Sequence, residues 1–263
     1  MHRFFVPPEL PLQPGSTLDL PDTVAHQVRD VLRLQQGEHL VLLDNSGDEA
    51  LCSVMNLSRS RVEVQVEQRS PGKTGSTVKV ILCQGLLKSS GRFELILEKG
   101  TELGVTTFVP TICQRSTAGL GEVGSSKLKR WQRIVQEAAE QCGRARIPGL
   151  APVRPFARVF DELPEGALVL MPWEEEKAHH LRTTLKAART AYTEAPAVEP
   201  LTVVVFIGPE GGLTVDEARI AREHGAQVVS LGPRILRAET AAITAVANIM
   251  YELECIGVER GLH

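Results

Sequence analysis

The sequence predicts an α/β protein in two parts: a small strand-rich amino-terminal domain, residues 1–72, and a larger domain built on a parallel sheet, residues 73–263. Three observations predict it. The apolar pattern changes from closely spaced strands to alternating strands and helices after the turn-rich stretch SPGKTGS, Ser70 to Ser76. Leu201 to Ile207, LTVVVFI, is a β-branched apolar run bounded by turn residues, as expected of a strand buried on both faces. Two glycine-bearing loops, FIGPEGG and LGPRILRAET, each follow a strand.

In chain order, FFV, STLDL, HLVLLD, EALCSVMNL and RVEVQVEQ read as short strands, with Asn45-Ser46-Gly47-Asp48 as one of the turns between them. That spacing suggests a small antiparallel barrel. One helix interrupts it near Asp22 to Leu32, with Asp22 or Thr23 as its cap. Ser70 to Ser76 is the expected linker. Strand VKVILCQG precedes a helix from Phe93 to Leu103, whose Phe93, Ile96, Leu97 and Gly100 fall at i, i+3, i+4 and i+7; Gly104 ends it. Ser125 to Cys142 is amphipathic, with Leu128, Trp131, Val135, Ala138 and Cys142 in one stripe and Lys127, Arg130 and Arg133 off it. Leu168 to Met171 is a further buried strand, Glu174 to Tyr192 a long charged helix, and Gln227 to Leu231 a short strand. The closing helix, Thr240 to Leu253, is apolar on nearly every side, which suggests burial against a second subunit.

The two loops carry the chemistry. Gly208, Gly211 and Gly212 let the backbone approach a ligand, Pro209 fixes its own φ, and Glu210 places a carboxylate in the turn. Thr214 with Glu217 three residues on is a capping box for the next helix. In the second loop Gly232 and Pro233 turn the chain, Arg234 and Arg237 sit three apart, and Glu239 and Thr240 open the last helix. The first loop lacks the lysine and hydroxyl of a phosphate loop and the G-x-G-x-x-G spacing of a dinucleotide site. Nucleoside-triphosphate and NAD chemistry are therefore not indicated.

Composition is that of a globular chain, 43% hydrophobic and 23% charged over 263 residues. No apolar stretch reaches the roughly 18 residues of a membrane span, and MHRFFVPPEL has no signal-peptide core, so a cytoplasmic protein is expected. Cys52, Cys83, Cys113, Cys142 and Cys255 are odd in number and lack a C-x-x-C pair, while His179 and His180 lack spaced partners. Neither a disulfide framework nor a metal site is expected. A net charge of −3 argues against nucleic acid, but its distribution is uneven. Residues 84–150 hold ten basic side chains against six acidic, whereas residues 1–72 hold six against ten. Binding of RNA by the first domain would rest on a few placed arginines.

GPEGG followed by LGPRILRAETA resembles the ribosomal RNA uridine-N3 methyltransferases of the RsmE family, in the SPOUT superfamily. Further blocks resemble it in the family's order: His2 to Val6, His26 to Gly37, Leu86 to Val105 and Trp131 to Pro148. The resemblance implies a carboxyl-terminal SPOUT methyltransferase domain with a deep trefoil knot and an amino-terminal PUA-like β-barrel that binds RNA. It implies S-adenosyl-L-methionine as cofactor, a homodimer, and 16S ribosomal RNA or the assembled small ribosomal subunit as partner, with no membrane. Cofactor contacts would come from Leu170, Met171, Pro172, Ile207, Gly208, Pro209, Glu210, Gly211, Gly212, Leu231, Gly232, Arg234, Leu236, Thr240 and Ala241. Methyl transfer to N3 requires loss of its proton and exposure of the Watson–Crick edge, so the base must be unpaired or extruded. Arg237 suits the negative charge that develops on O2 or O4; Glu210 and Glu239 are both candidate bases by location. RNA contacts would come from Arg3, His26, Arg29 and Arg33, with Arg29 and Arg33 sharing a helical face, and from Lys88, Arg92 and Lys99. A methyltransferase with another RNA target and a non-catalytic ribosome-associated protein are the alternatives.

Overall fold

The computed structural model describes residues 1–72, 76–116, 123–194 and 200–254. Residues 73–75 of the expected linker and Cys255 lie outside them. Contacts divide the chain into two units, Met1–Gly75 with Gln136–Ile147 and Ser76–Val135 with Pro148–His263.

The first unit contains β1 (His2–Phe5), β2 (Thr17–Asp19), α1 (Asp22–His26), β3 (His39–Leu43), β4 (Asp48–Leu57) and β5 (Val62–Pro71), with sheet order β1-β3-β4-β5-β2. Val62, Val64 and Val66 alternate inward on β5 and meet Phe4, Leu40, Leu42 and Cys52 in one core. Contrary to the all-antiparallel expectation, β1 runs parallel to β3. The chain between them makes a crossover through β2 and α1, and a crossover returns a strand in the same direction. On β1 and β3 the alternate side chains Phe5, Val41 and Leu43 pack on Ala139 and Ala145. The Phe5 amide donates to Glu140 Oε1 at 2.9 Å, and the Ile147 amide to Asn45 Oδ1 at 2.7 Å, which together bring residues 136–147 into this unit.

Three local expectations fail here. The helix is shorter: α1 gives way to a π-helical turn over Gln27–Val31, and Arg33 has φ +55°. Arg33 is therefore off the helix and shares no helical face with Arg29. Pro21 occupies the cap position with no side-chain bond, so neither Asp22 nor Thr23 caps. Ser70 and Pro71 are also strand and not linker, because they pair with Glu49 and Asp48.

The second unit runs β6 (Val78–Gly85), α2 (Ser90–Glu102), β7 (Val105–Ile112), the first part of α3 (Ser125–Cys142), β8 (Gly149–Leu150), β9 (Arg154–Pro155), α4 (Phe156–Val159), β10 (Leu168–Pro172), α5 (Leu181–Glu194), β11 (Leu201–Ile207), α6 (Val215–Glu223), β12 (Gln227–Val229) and α7 (Ala238–Leu253). Its strand order is β12-β10-β11-β6-β7-β8, with β9 also on β7, and every pairing is parallel. Such a sheet must be covered on both faces. Val204 and Phe206 of β11 meet Phe156, Phe160, Ala218 and Ala221 of α4, α6 and the turn after α4. Phe160 stacks on Phe206 with centroids 4.7 Å apart. The residues between them on β11 turn to the other face, where α7 packs against β6 and β11 and α2 packs against α7. Trp131 of α3 is fully buried and stacks on Phe93 of α2 at 4.4 Å.

Three expectations need correction. Residues 174–180 are not helical, and α5 begins only at Leu181. The Glu176 carboxylate accepts from the amides of Ala178 and His179, a local turn that competes with a helix. Those bonds, chiefly the one from Ala178, hold its carboxyl down at about 2. Ser230 N also donates to His179 O, tying this stretch to the sheet. On α7, Ala242, Ala245, Val246, Ile249 and Leu253 are buried, but Thr240, Asn248 and Tyr251 are exposed, so within one chain the helix is not buried all round. Finally, Gln227 to Leu231 is strand only to Val229.

The capping box at α6 forms as its spacing predicts, and Glu217 does more than cap. Buried at 4% exposure, it accepts from Thr214 N (2.8 Å) and from the Gln114 amide (2.8 Å), joining α6 to the end of β7. Glu217→Ala is expected to destabilise the protein by about 2–3 kcal/mol in urea unfolding, against about 1 kcal/mol for Thr214→Ala. Equal losses would show that the Gln114 bond contributes nothing.

Candidate functional site

Three strand ends converge at the carboxyl edge of the sheet, where β10 lies between β11 and β12 and the chain order of the strands is broken. Open parallel sheets form their crevices at such a break. Pro172 and Trp173 follow β10, Gly208–Leu213 follow β11, and Ser230–Arg237 follow β12; with Arg92 of α2 and Ala238 and Ala241 of α7 they line a cavity of about 360 Å3. That volume is in the range of small-molecule sites, roughly 300–1,000 Å3.

The first loop is fixed from several directions. Its approach to β6 is so close that a Cβ on Gly85 would stand 2.6 Å from Pro209 N. The buried Gln84 donates its amide to Gly208 O at 3.3 Å. Arg115 Nη1 donates to Gly211 O at 3.0 Å, and Trp173 Nε1 to Leu213 O at 3.1 Å. Glu210 reaches away from the loop: its carboxylate accepts from Lys88 N at 3.0 and 3.2 Å and from Ser89 N at 3.4 Å. Ser89 is the cap position of α2 and supplies no side-chain bond of its own. Glu210 therefore serves as a helix cap delivered from a distant loop, at the end of the helix where a negative charge is favoured. Gly212 has φ +72°, the left-handed region that favours glycine; the Glu174 carboxylate that a Cβ there would meet is the end of a flexible side chain, so the backbone sets the requirement.

The second loop is more open. Gly232 has φ +122°, its amide donating to Ser230 Oγ at 3.2 Å. Pro233, Arg234, Ile235 and Arg237 are exposed, and neither arginine has an ion-pair partner among the described residues. Glu239, just inside α7, places Oε1 3.6 Å from Arg92 Nε, while its Oε2 is buried without a partner.

Of the cofactor candidates, Pro172, Ile207, Gly208, Pro209, Glu210, Gly211, Gly212, Leu231, Gly232, Arg234, Leu236 and Ala241 line the cavity, as does Arg237. Leu170 and Met171 are fully buried in β10 and do not line it; Thr240 is exposed on α7 and Glu239 sits behind Arg92, and neither lines it. Trp173, Glu174, Lys177, Leu213, Ser230 and Ala238 line it and were missed, as was Arg115, which holds the loop. Trp173 and Glu174 were findable as the residues directly after a buried strand, whereas Arg115 has no local sequence signal.

The other basic candidates are largely engaged. Arg29 makes a two-point contact with Asp30 at 2.7 and 3.0 Å and also donates to Ser58 O; His26 Nδ1 lies 2.7 Å from the same carboxylate. Arg29, then His26, push the Asp30 carboxyl down to about 2. Arg3 pairs with Glu49 at 3.3 Å. Lys99 lies between Glu102 and Glu98, whose bonds raise its ammonium above its ordinary value, while the side chains of Lys88 and Arg33 are exposed. Among the described residues no group of three or more His, Cys, Asp or Glu could hold a metal ion, and no helix is long and apolar enough to cross a membrane.

Residues 74–250 match the family model described as an RNA methyltransferase domain. The ribosomal RNA small subunit methyltransferase E of a Synechocystis strain is 34% identical, over 96% of this chain and 78% of its own length. Among solved structures, the ribosomal RNA small subunit methyltransferase E of Neisseria gonorrhoeae bound to S-adenosyl methionine is similar, with TM-score 0.81, 30% identity and coverage of 96% of this chain and 98% of its own. A putative methyltransferase of Legionella pneumophila, in complex with the bound cofactor SAM, gives TM-score 0.79 and 31% identity over 95% and 96%.

Glu210→Ala is expected to cost about 1 kcal/mol in urea unfolding and to speed hydrogen exchange at the Lys88 and Ser89 amides, with Glu210→Gln restoring most of both because an amide oxygen still accepts. Equal effects of Ala and Gln would contradict the capping role.

Proposed function

Because this chain belongs to the ribosomal RNA small subunit methyltransferase E family of RNA methyltransferases, we propose that it transfers a methyl group from S-adenosylmethionine to N3 of a uridine in 16S ribosomal RNA. The observation that supports this most is the cavity at the ends of β10, β11 and β12, built mainly of glycine-rich backbone and bordered by Arg92, Arg234 and Arg237. Its residues fit the cofactor: backbone groups of Gly208–Gly212 and Leu231–Leu236 are suited to read an adenine edge, Pro172, Ile207 and Ala241 offer apolar contact, and Glu174 and Glu210 bring negative charge to a cationic sulfonium ligand. Leu170, Met171 and Thr240 would shape the site without lining it. When bound, S-adenosylmethionine supplies an electrophilic methyl group.

The chain's own groups then have distinct tasks. Arg237 stabilises the negative charge that moves onto the uracil oxygens as N3 loses its proton. Of the two candidate bases, Glu210 is occupied by the amides of Lys88 and Ser89, while Glu239, whose Oε2 has no partner but is buried off the cavity lining, would have to turn toward the cavity to take the proton. Arg92, 3.6 Å from Glu239, orients that carboxylate. Lys88 and Lys99 extend the RNA contacts on this unit. On the first unit, read as a PUA-like barrel, Arg3, His26, Arg29 and Arg33 are the RNA contacts; Arg29 and His26 would have to exchange Asp30 for phosphate. The reading also includes a trefoil-knotted SPOUT domain, a homodimer that covers the exposed side of α7, and a cytoplasmic location.

Incubation of the protein with S-adenosylmethionine and small ribosomal subunits from a strain lacking this gene, followed by mass spectrometry of the RNA, is expected to reveal N3-methyluridine at one site. Arg237→Ala is expected to lower kcat by about 100-fold. Methylation of a different base would assign another RNA target, and failure to bind the cofactor would favour a non-catalytic binding protein.

A further inference from the structure

Ile235 is the most exposed large apolar side chain among the described residues, at 84%. It lies on the second loop, at the cavity, between the exposed Arg234 and Arg237. A solvated isoleucine contributes nothing to the folded chain, and lone exposed aliphatics are common enough to need no explanation. Its neighbours give this one a context. Pro233 fixes the backbone two residues before it, and Arg237, two residues after it, is the cap position of α7, so the segment is held at both ends. Its branched Cβ leaves few rotamers, so little freedom is lost when it is inserted. The flanking guanidiniums have no carboxylate partners among the described residues.

The proposed reaction sets a requirement that this arrangement meets. N3 lies on the pairing edge, so the uridine must leave its stack, and the gap it leaves must be filled or the RNA will reclaim the base. Proteins that open stacks do so with aliphatic wedges placed among basic residues. We propose that Ile235 is this wedge: it enters the stack in place of the extruded uridine, while Arg234 and Arg237 hold the RNA on either side of it. It is a positioning residue, and it rests on the uridine-N3 reading above. Ile235 lines the cavity, but the adenine reading above uses the backbone of its loop, which a change of side chain keeps, so its loss should act on turnover and leave cofactor binding unchanged.

The test uses the whole protein with small ribosomal subunits from a strain lacking this gene. Ile235→Ala is expected to lower kcat about tenfold with KM for the subunit, cofactor affinity and molecular mass in solution unchanged; Ile235→Leu is expected to restore kcat and the polar Ile235→Asn is not. Unchanged kcat, a loss confined to KM, weaker cofactor binding, or a shift in oligomeric state would each overturn the assignment, the last by showing that Ile235 belongs to an interface between copies. A wild-type protein that methylates no uridine in these subunits would overturn the functional reading, and the wedge with it.

Discussion

Everything at the site depends on holding the loop Gly208–Leu213 in one shape at the end of β11. A six-residue loop with three glycines has many conformations in the unfolded chain, and fixing it is costly in entropy. The structure offsets that cost with partners from four places: Gln84 at the end of β6, Arg115 after β7, Trp173 after β10, and the Lys88–Ser89 amides before α2. Three of these donate to loop carbonyls, and the fourth, the pair of amides before α2, donates to the loop's own Glu210 carboxylate. The loop is thus part of the sheet's edge, and α2 is tied to it. A ligand that meets this loop meets a surface already ordered, which reduces the entropy lost on binding.

The placement of charge follows the same economy. The chain is net negative, and most of its arginines and lysines near carboxylates are committed: Arg3 to Glu49, Arg29 to Asp30, Lys99 to Glu98 and Glu102, Arg130 to Glu94. Exposed pairs of this kind add little stability. Their effect is to leave the second loop, with Arg234 and Arg237, as a place where positive charge is not already neutralised. On the reading proposed above, an anionic substrate would be drawn to the cavity by local field and not by the net charge of the protein.

The parallel sheet, the capping box and the two loops were legible in the sequence because each is a local pattern: a β-branched run, Thr214 with Glu217, glycines after strands. The amphipathic stripe of Ser125 to Cys142 was legible too, and the helix spans those residues. What the sequence concealed depends on distant partners. Glu210 read as a free carboxylate because the amides it caps are far away in sequence, and Arg115 gave no sign of its role for the same reason. Residues 174–180 have good helix composition, yet the amides of Ala178 and His179 bind the Glu176 carboxylate, and Ser230 takes the carbonyl of His179. Arg33 was placed on a helix that ends two residues before it.

Hydrogen exchange of the backbone amides, followed with and without S-adenosylmethionine, reads whether the loop at the end of β11 is formed before a ligand arrives. The expected result is slow exchange across Gly208–Leu213 already in the free protein, with added protection on binding concentrated at Leu231–Leu236 and at the first loop. Protection that appears elsewhere, or a first loop that exchanges freely until the cofactor arrives, would contradict it.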